Sequence, residues 1–264
     1  MQAGTQSGSR TGRVTKAAQT DNVVEMTEYG LYLESGPQHK KTMVHVLDLL
    51  GCVATGPSSR DAIEATPEAI RAYLRFLKRC GEQVDPGDEF TTSVIEHITQ
   101  GTWLGNGSPY LMFGPDFEPV TEKDIGVFTH RFEMLRETLA GWAERQSDEQ
   151  LDAAPPEKGR TSRAVLIHVM GTPAAYLSAV VGGVPGVSRT VTMAERGQMP
   201  VPEGIRQVRE LVIPKLRETT EEQRSAVIER GQMVRTLRKA IRRTLEHDWE
   251  HLMELSRRPD GPEV

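Results

Sequence analysis

His247 and His251 stand four residues apart near the C-terminal end of the chain, in a stretch rich in helix formers. At about 100° per residue, side chains at i and i+4 lie one turn apart on one helical face, near enough for two imidazoles to chelate one ion. A third histidine, His168, sits in another stretch of helical periodicity. Its face carries Ala164, Gly171, Ala175 and Ala179, small residues that would let a second helix approach closely. The alternative is a pair of surface or core-edge histidines, because His247 and His251 flank a stripe of Leu237, Ile241, Leu245, Leu252 and Leu255. If the three histidines converge, neutral imidazoles suit a divalent transition metal, with Zn or Ni first and Fe as a further candidate, over Mg or Ca. Three protein ligands leave a coordination position for water or a thiolate, the arrangement of catalytic zinc.

Asp248 falls in the middle of the apolar stripe, where an unpaired carboxylate would be costly. It needs a partner: a ligand imidazole, an arginine on another helix, or a helix bend that carries it to solvent. The basic residues Arg235, Arg238, Lys239, Arg242 and Arg243 spread over the outer arc of the same helix and read as a solvated face. His130 is expected to face solvent, and His45 and His97 are assigned no chemistry. Cys52 and Cys80, the only cysteines, lack metal-ligand spacing and read as a reduced, buried or half-buried pair, with redox chemistry as the alternative.

The elements that must position these residues change period along the chain. Residues 1–24 are rich in Gly, Ser, Thr and Gln without apolar periodicity and are expected to be a disordered tail. Tyr29 to Leu33 and Thr42 to Leu47 alternate as two strands of a hairpin, and Gly51, Gly56 and Pro57 are expected to close the strand region. Ser58 or Ser59 caps a helix that runs to about Arg79, with Pro67 its weak point. Phe90 to Ile98 and Tyr110 to Phe113 are further strand candidates. Beyond Pro119 the period becomes 3.6. Ile125, Phe128, Phe132, Leu135, Leu139 and Trp142 form the seam of a first helix, and further helices are expected at about Thr161 to Val181, Glu203 to Thr219 and Val234 to Arg257. A glycine-rich loop between Gly182 and Gly204, a kink near Pro214 and a short helix from Thr220 through Glu229 complete the reading. The expected fold is multidomain, α+β and all-α: a small α+β domain over residues 25–116, an antiparallel four-helix bundle over 120–258, and a short tail at 259–264.

A chain of 264 residues suits two domains, and its net charge of −5 argues against a general nucleic-acid binder. With no apolar run of about 18 residues and no apolar signal-peptide core near the N-terminus, a cytoplasmic protein is expected.

Two segments resemble known families. TLRKAIRRTLEHDWEHLMELSRR, ending at Arg258, together with AVLIHVMGTPAAYL at Ala164 to Leu177, resembles the DinB-like metal-binding bundle family. There, one histidine of the second helix and two of the last, four apart, bind metal; these positions fall on His168, His247 and His251. VHVLDLLGCVATGPSSRDAIEATPEAIRAYLRFL at Val44 to Leu77 resembles the HicB-like antitoxin fold, a partial RNase-H-like α+β domain, through its DLxGCxAxG turn and following helix. Leu50 stands where that family often has proline, and no DNA-binding module follows. The first resemblance implies a metal-dependent thiol S-transferase or isomerase acting on a low-molecular-weight thiol, and often a homodimer. The second implies a non-enzymatic interaction or regulatory protein with a protein partner, the metal then being structural.

Overall fold

The structure, a computed structural model, describes residues 26–155 and 159–264. The expected tail over residues 1–24 lies outside the described residues, as does part of the connection after Pro155. The fold is mixed α+β, with a small N-terminal sheet followed by a helical region.

The hairpin forms as β1 (Thr27–Ser35) and β2 (Thr42–Val46), in antiparallel register with Leu33 opposite Val44. A third strand, β3 (Val53–Gly56), pairs with β2 at the point where the glycines were expected to end the sheet. Four residues beside Gly51 and Pro57 are too short for a visible alternation. Ser58 caps α1 (Ser59–Arg79) by accepting from the Asp61 amide, and the helix passes through Pro67. β4 (Phe90–Ile98) then lies parallel to β1, giving the order β3-β2-β1-β4. Tyr110 to Phe113 is not a strand. Leu111 and Phe113 instead pack with Leu104 over the sheet face opposite α1, against Tyr32, Leu47 and Ile98.

The helical region begins with α2 (Glu122–Ala143), whose Thr121 and Asp124 close a capping box. The short α3 (Asp148–Asp152) precedes α4 (Ser162–Val181). The stretch from Gly182 to Gly204 is not one loop, because it contains α5 (Val187–Glu195) and the start of α6 (Val201–Arg217). Pro214 lies inside α6, which continues past it. The helix expected through Glu229 stops early as α7 (Glu221–Ser225); a hairpin of β5 (Ile228–Arg230) and β6 (Met233–Arg235) follows, turning at Gly231 with φ +62°. Thr236 then caps α8 (Leu237–Ser256).

α2 packs against α6 and α8, and α4 packs against α5, α6 and α8. One apolar core runs from the sheet and α1 into these helices, with Tyr73 and Phe76 of α1 meeting Trp249 of α8 at ring separations of 4.8 and 5.3 Å. Against the expectation of no apolar run of about 18 residues, α4, alone among the described residues, is long and apolar enough to cross a membrane, and half of that stretch is buried inside the protein.

The basic residues of α8 are not a solvated face. Lys239, Arg242 and Arg243 are buried. Arg242 makes a two-bond pair with Asp116, at 2.8 Å each, and reaches Glu246 at 3.0 Å; Arg243 reaches Glu246 at 2.7 Å. From the sheet, His45 Nδ1 lies 3.0 Å from Glu246, and buried Glu34 accepts from the Gly107 and Ser108 amides. Lys239 donates to the carbonyls of Pro109 and Leu111. Composition could not reveal this, because a helix wrapped on several sides buries faces that amphipathic reading assigns to water. His130 is also half-buried, its Nε2 3.1 Å from the Cys80 carbonyl rather than free in solvent. Cys52 and Cys80 are free thiols, one buried and one half-buried.

Candidate metal centre

α4 and α8 bring His168, His247 and His251 together. One ring nitrogen from each lies within 4.8 Å of the others, and the ring centroids are 4.4, 4.7 and 5.1 Å apart. His247 Nε2 and His168 Nε2 are separated by 2.9 Å. Two imidazole nitrogens on one tetrahedral zinc, with bonds of about 2.1 Å, sit roughly 3.4 Å apart, so a small opening of the cluster suffices to admit an ion. The donor set fits a transition metal: three imidazoles, with no carboxylate among the converging ligand atoms of the described residues. Two imidazolium ions could not share this space, so the arrangement requires neutral rings, which is the ligating form. Burial holds the His247 ring neutral, with its pKa brought down to about 4 despite the opposing pull of Asp248. His168 is lowered for the same first reason, helped by His251 and Arg160.

Each ligand is oriented by different neighbours. His251 Nδ1 donates to Glu254 at 2.7 Å, which leaves Nε2 as the nitrogen a metal would take. Glu254 is in turn held by Arg258 at 3.0 Å, and the His251 hydrogen bond keeps its carboxyl below the usual range. Asp248 takes the arginine option: Arg136 of α2 grips it at 2.7 and 3.0 Å, with both side chains fully buried. The Asp248 oxygen is 3.9 Å from His247 Nδ1, beyond hydrogen-bond reach, and that buried nitrogen has no hydrogen-bond partner among the described residues. Arg136 also donates to the Val169 carbonyl at 2.9 Å. It thereby ties the residue after His168 to the residue after His247, fixing the two ligand-bearing helices against α2. Thr172, one turn beyond His168, places its hydroxyl 3.4 Å from His247 Nε2.

The small-residue face of α4 does not receive a helix. Ala164, His168 and Ala175 are exposed and Gly171 has open space around it, whereas the buried side of α4 is Val165, Leu166, Val169 and Leu177. Larger side chains complete the helix contact, and the small residues leave the third imidazole reachable from solvent. Sequence reasoning singled out Asp248 but missed Glu254 and Arg136. Glu254 was findable, three residues after His251 and so on its face; Arg136 was not, because its partner is 112 residues away. No family model, curated protein or solved structure matches this chain.

Proposed function

We propose that the helical region is an antiparallel four-helix bundle of α2, α4, α6 and α8, DinB-like in type, that holds one divalent transition metal on His168, His247 and His251 for thiol chemistry. The single observation that carries the metal reading is the convergence of three imidazoles from two helices, with burial keeping His247 neutral. Bound there, a Lewis-acidic ion would lower the pKa of a small thiol and orient its sulfur toward an electrophile. The chain's own contribution is positional. Glu254 fixes the His251 tautomer, Arg136 locks the backbone beside both other ligands, and the exposed Ala164 and Ala175 leave space for a substrate at His168. The thiol itself rests on the family resemblance. Titrating cobalt-loaded protein with a low-molecular-weight thiol tests it: a new sulfur-to-metal absorption band is expected, and an unchanged spectrum would reject thiol chemistry while leaving the metal site standing.

A second reading is an interaction protein of HicB-like type with a structural metal. It is favoured by β4, an edge strand whose Val94 and Ile95 are exposed. On that reading Ile95→Lys abolishes self-association or partner capture in sedimentation velocity with metal content unchanged, and unaltered sedimentation counts against it.

A further inference from the structure

Beyond the three histidines, α4 and α8 go on facing each other through Tyr176 and Arg243. His168, Thr172 and Tyr176 follow at four-residue steps along one face of α4, and His251, His247 and Arg243 run the opposite way along α8. The contacts keep that pairing. The rings of His168 and His251 are 5.1 Å apart, Thr172 Oγ1 is 3.4 Å from His247 Nε2, and the Arg243 guanidinium lies 5.9 Å from the centre of the Tyr176 ring. The Tyr176 ring also meets His247 edge-on, with centroids 6.3 Å apart. Helical side chains lean toward the N-terminus of their own helix, which carries the Tyr176 ring back toward Thr172 and the imidazoles.

The other donors near the three imidazoles are engaged. Thr172 gives its proton to the His168 carbonyl at 3.0 Å, and Arg258 serves Ser162 and Glu254. Arg243 and Arg136 are held by Glu246 and Asp248, and their unpartnered nitrogens, Nε and Nη1, are sealed from solvent. Arg160 stands 43% exposed beside Glu254 at 3.7 Å, where water screens it. Tyr176 differs from all of these: it is half-buried, and its hydroxyl makes no hydrogen bond among the described residues. Exposed Ala175 beside it and the open space at Gly171 leave room on that side of α4.

We infer that Tyr176 donates a hydrogen bond to the ligand in the coordination position that three imidazoles leave open, an inference that rests on the metal reading proposed above. The site then selects a ligand that keeps a lone pair after coordinating, a thiolate or a small inorganic anion, over a neutral nitrogen base. A phenol hydroxyl carries one proton to donate, and a bond from it to an anion is charge-assisted. Pyridine spends its only lone pair on the metal and has nothing left to accept with. The Arg243 guanidinium over the ring face seats the aromatic plane, so removing the hydroxyl alone leaves the ring in place.

The test uses the cobalt-loaded full chain, wild type beside Tyr176→Phe, titrated with azide and with pyridine and followed by the cobalt absorption spectrum. Elemental analysis should first give equal cobalt in both. Azide affinity is expected to fall about tenfold in the variant, with pyridine affinity unchanged. Unchanged azide affinity would overturn the inference and leave the metal centre standing. Equal losses for azide and pyridine would also overturn it, because the ring would then act through the shape of the site. Loss of cobalt from the variant alone would make the phenol a ligand itself, not a donor to one. Wild type that holds no cobalt would remove the metal reading and this inference together, whereas each of the other failures leaves that reading intact.

Discussion

The two halves of α8 carry similar numbers of polar side chains and treat them in opposite ways. In the first half, Lys239, Arg242, Arg243 and Glu246 are buried and matched by Glu34, His45, Asp116 and backbone carbonyls. In the second half, His247 and His251 meet His168 with no carboxylate between the rings, and His247 Nδ1 is left without a partner among the described residues. In the first half the charges pair with one another across elements, although Arg243 Nε and His45 Nε2 lack a hydrogen-bond partner among the described residues, and that pairing serves cohesion. In the second half three ring nitrogens crowd together with no carboxylate among them, His247 Nε2 only 2.9 Å from His168 Nε2, an arrangement that a shared ion would use. The same helix therefore acts as a clamp at one end and as a ligand platform at the other.

The largest effects should come from breaking the clamp. Replacing Glu246 by Ala leaves Arg242 and Arg243 buried without their shared carboxylate, and a loss of about 3–5 kcal/mol in denaturant unfolding is expected. Asp248→Asn should cost a similar amount, since fully buried Arg136 then faces no charge. If Glu246→Ala unfolds at the wild-type midpoint, the first half of α8 is not a clamp; if Asp248→Asn does, the buried Arg136–Asp248 pair of the second half does not hold α8 to α2.

Effects at the platform should be smaller on folding and larger on metal. Glu254→Gln weakens the orientation of His251 and is expected to lower metal affinity about tenfold in a competition titration with a chromophoric chelator, with little change in the metal-free unfolding midpoint. Unchanged affinity would show that His251 needs no orienting carboxylate.

The smallest effect is the pH dependence of the metal-free protein. His247 in the folded chain has a pKa of about 4, below the unfolded value of about 6.5. Between those values the unfolded chain binds more protons, so this group's contribution is full above about pH 6.5 and fades as pH falls toward 4. His247→Gln should flatten that part of the stability profile. Equal slopes in wild type and variant would mean that the ring is not held neutral by burial.

Much of this arrangement was legible in the sequence. The hairpin, α1, β4 and the first and last long helices follow from alternation, caps and 3.6-residue spacing, and the i, i+4 pair with a distant third histidine pointed to the cluster. The failures share a cause. β3, α5 and the β5–β6 hairpin are short elements held by their surroundings rather than by local pattern. Arg242 and Arg243 were misread because a charged residue looks solvent-facing until its partners, Asp116, Glu246 and the sheet, are folded around it. Long-range charge pairing leaves no periodic trace along the chain.

The central claim is that three histidines from α4 and α8 hold one ion. It is tested most directly by elemental metal analysis of wild type beside His168→Ala, His247→Ala and His251→Ala after matched exposure to Zn, Ni and Fe. One ion per wild-type chain and its loss in each variant is the predicted result. Equal occupancy in wild type and variants, or none in any of them, would contradict it.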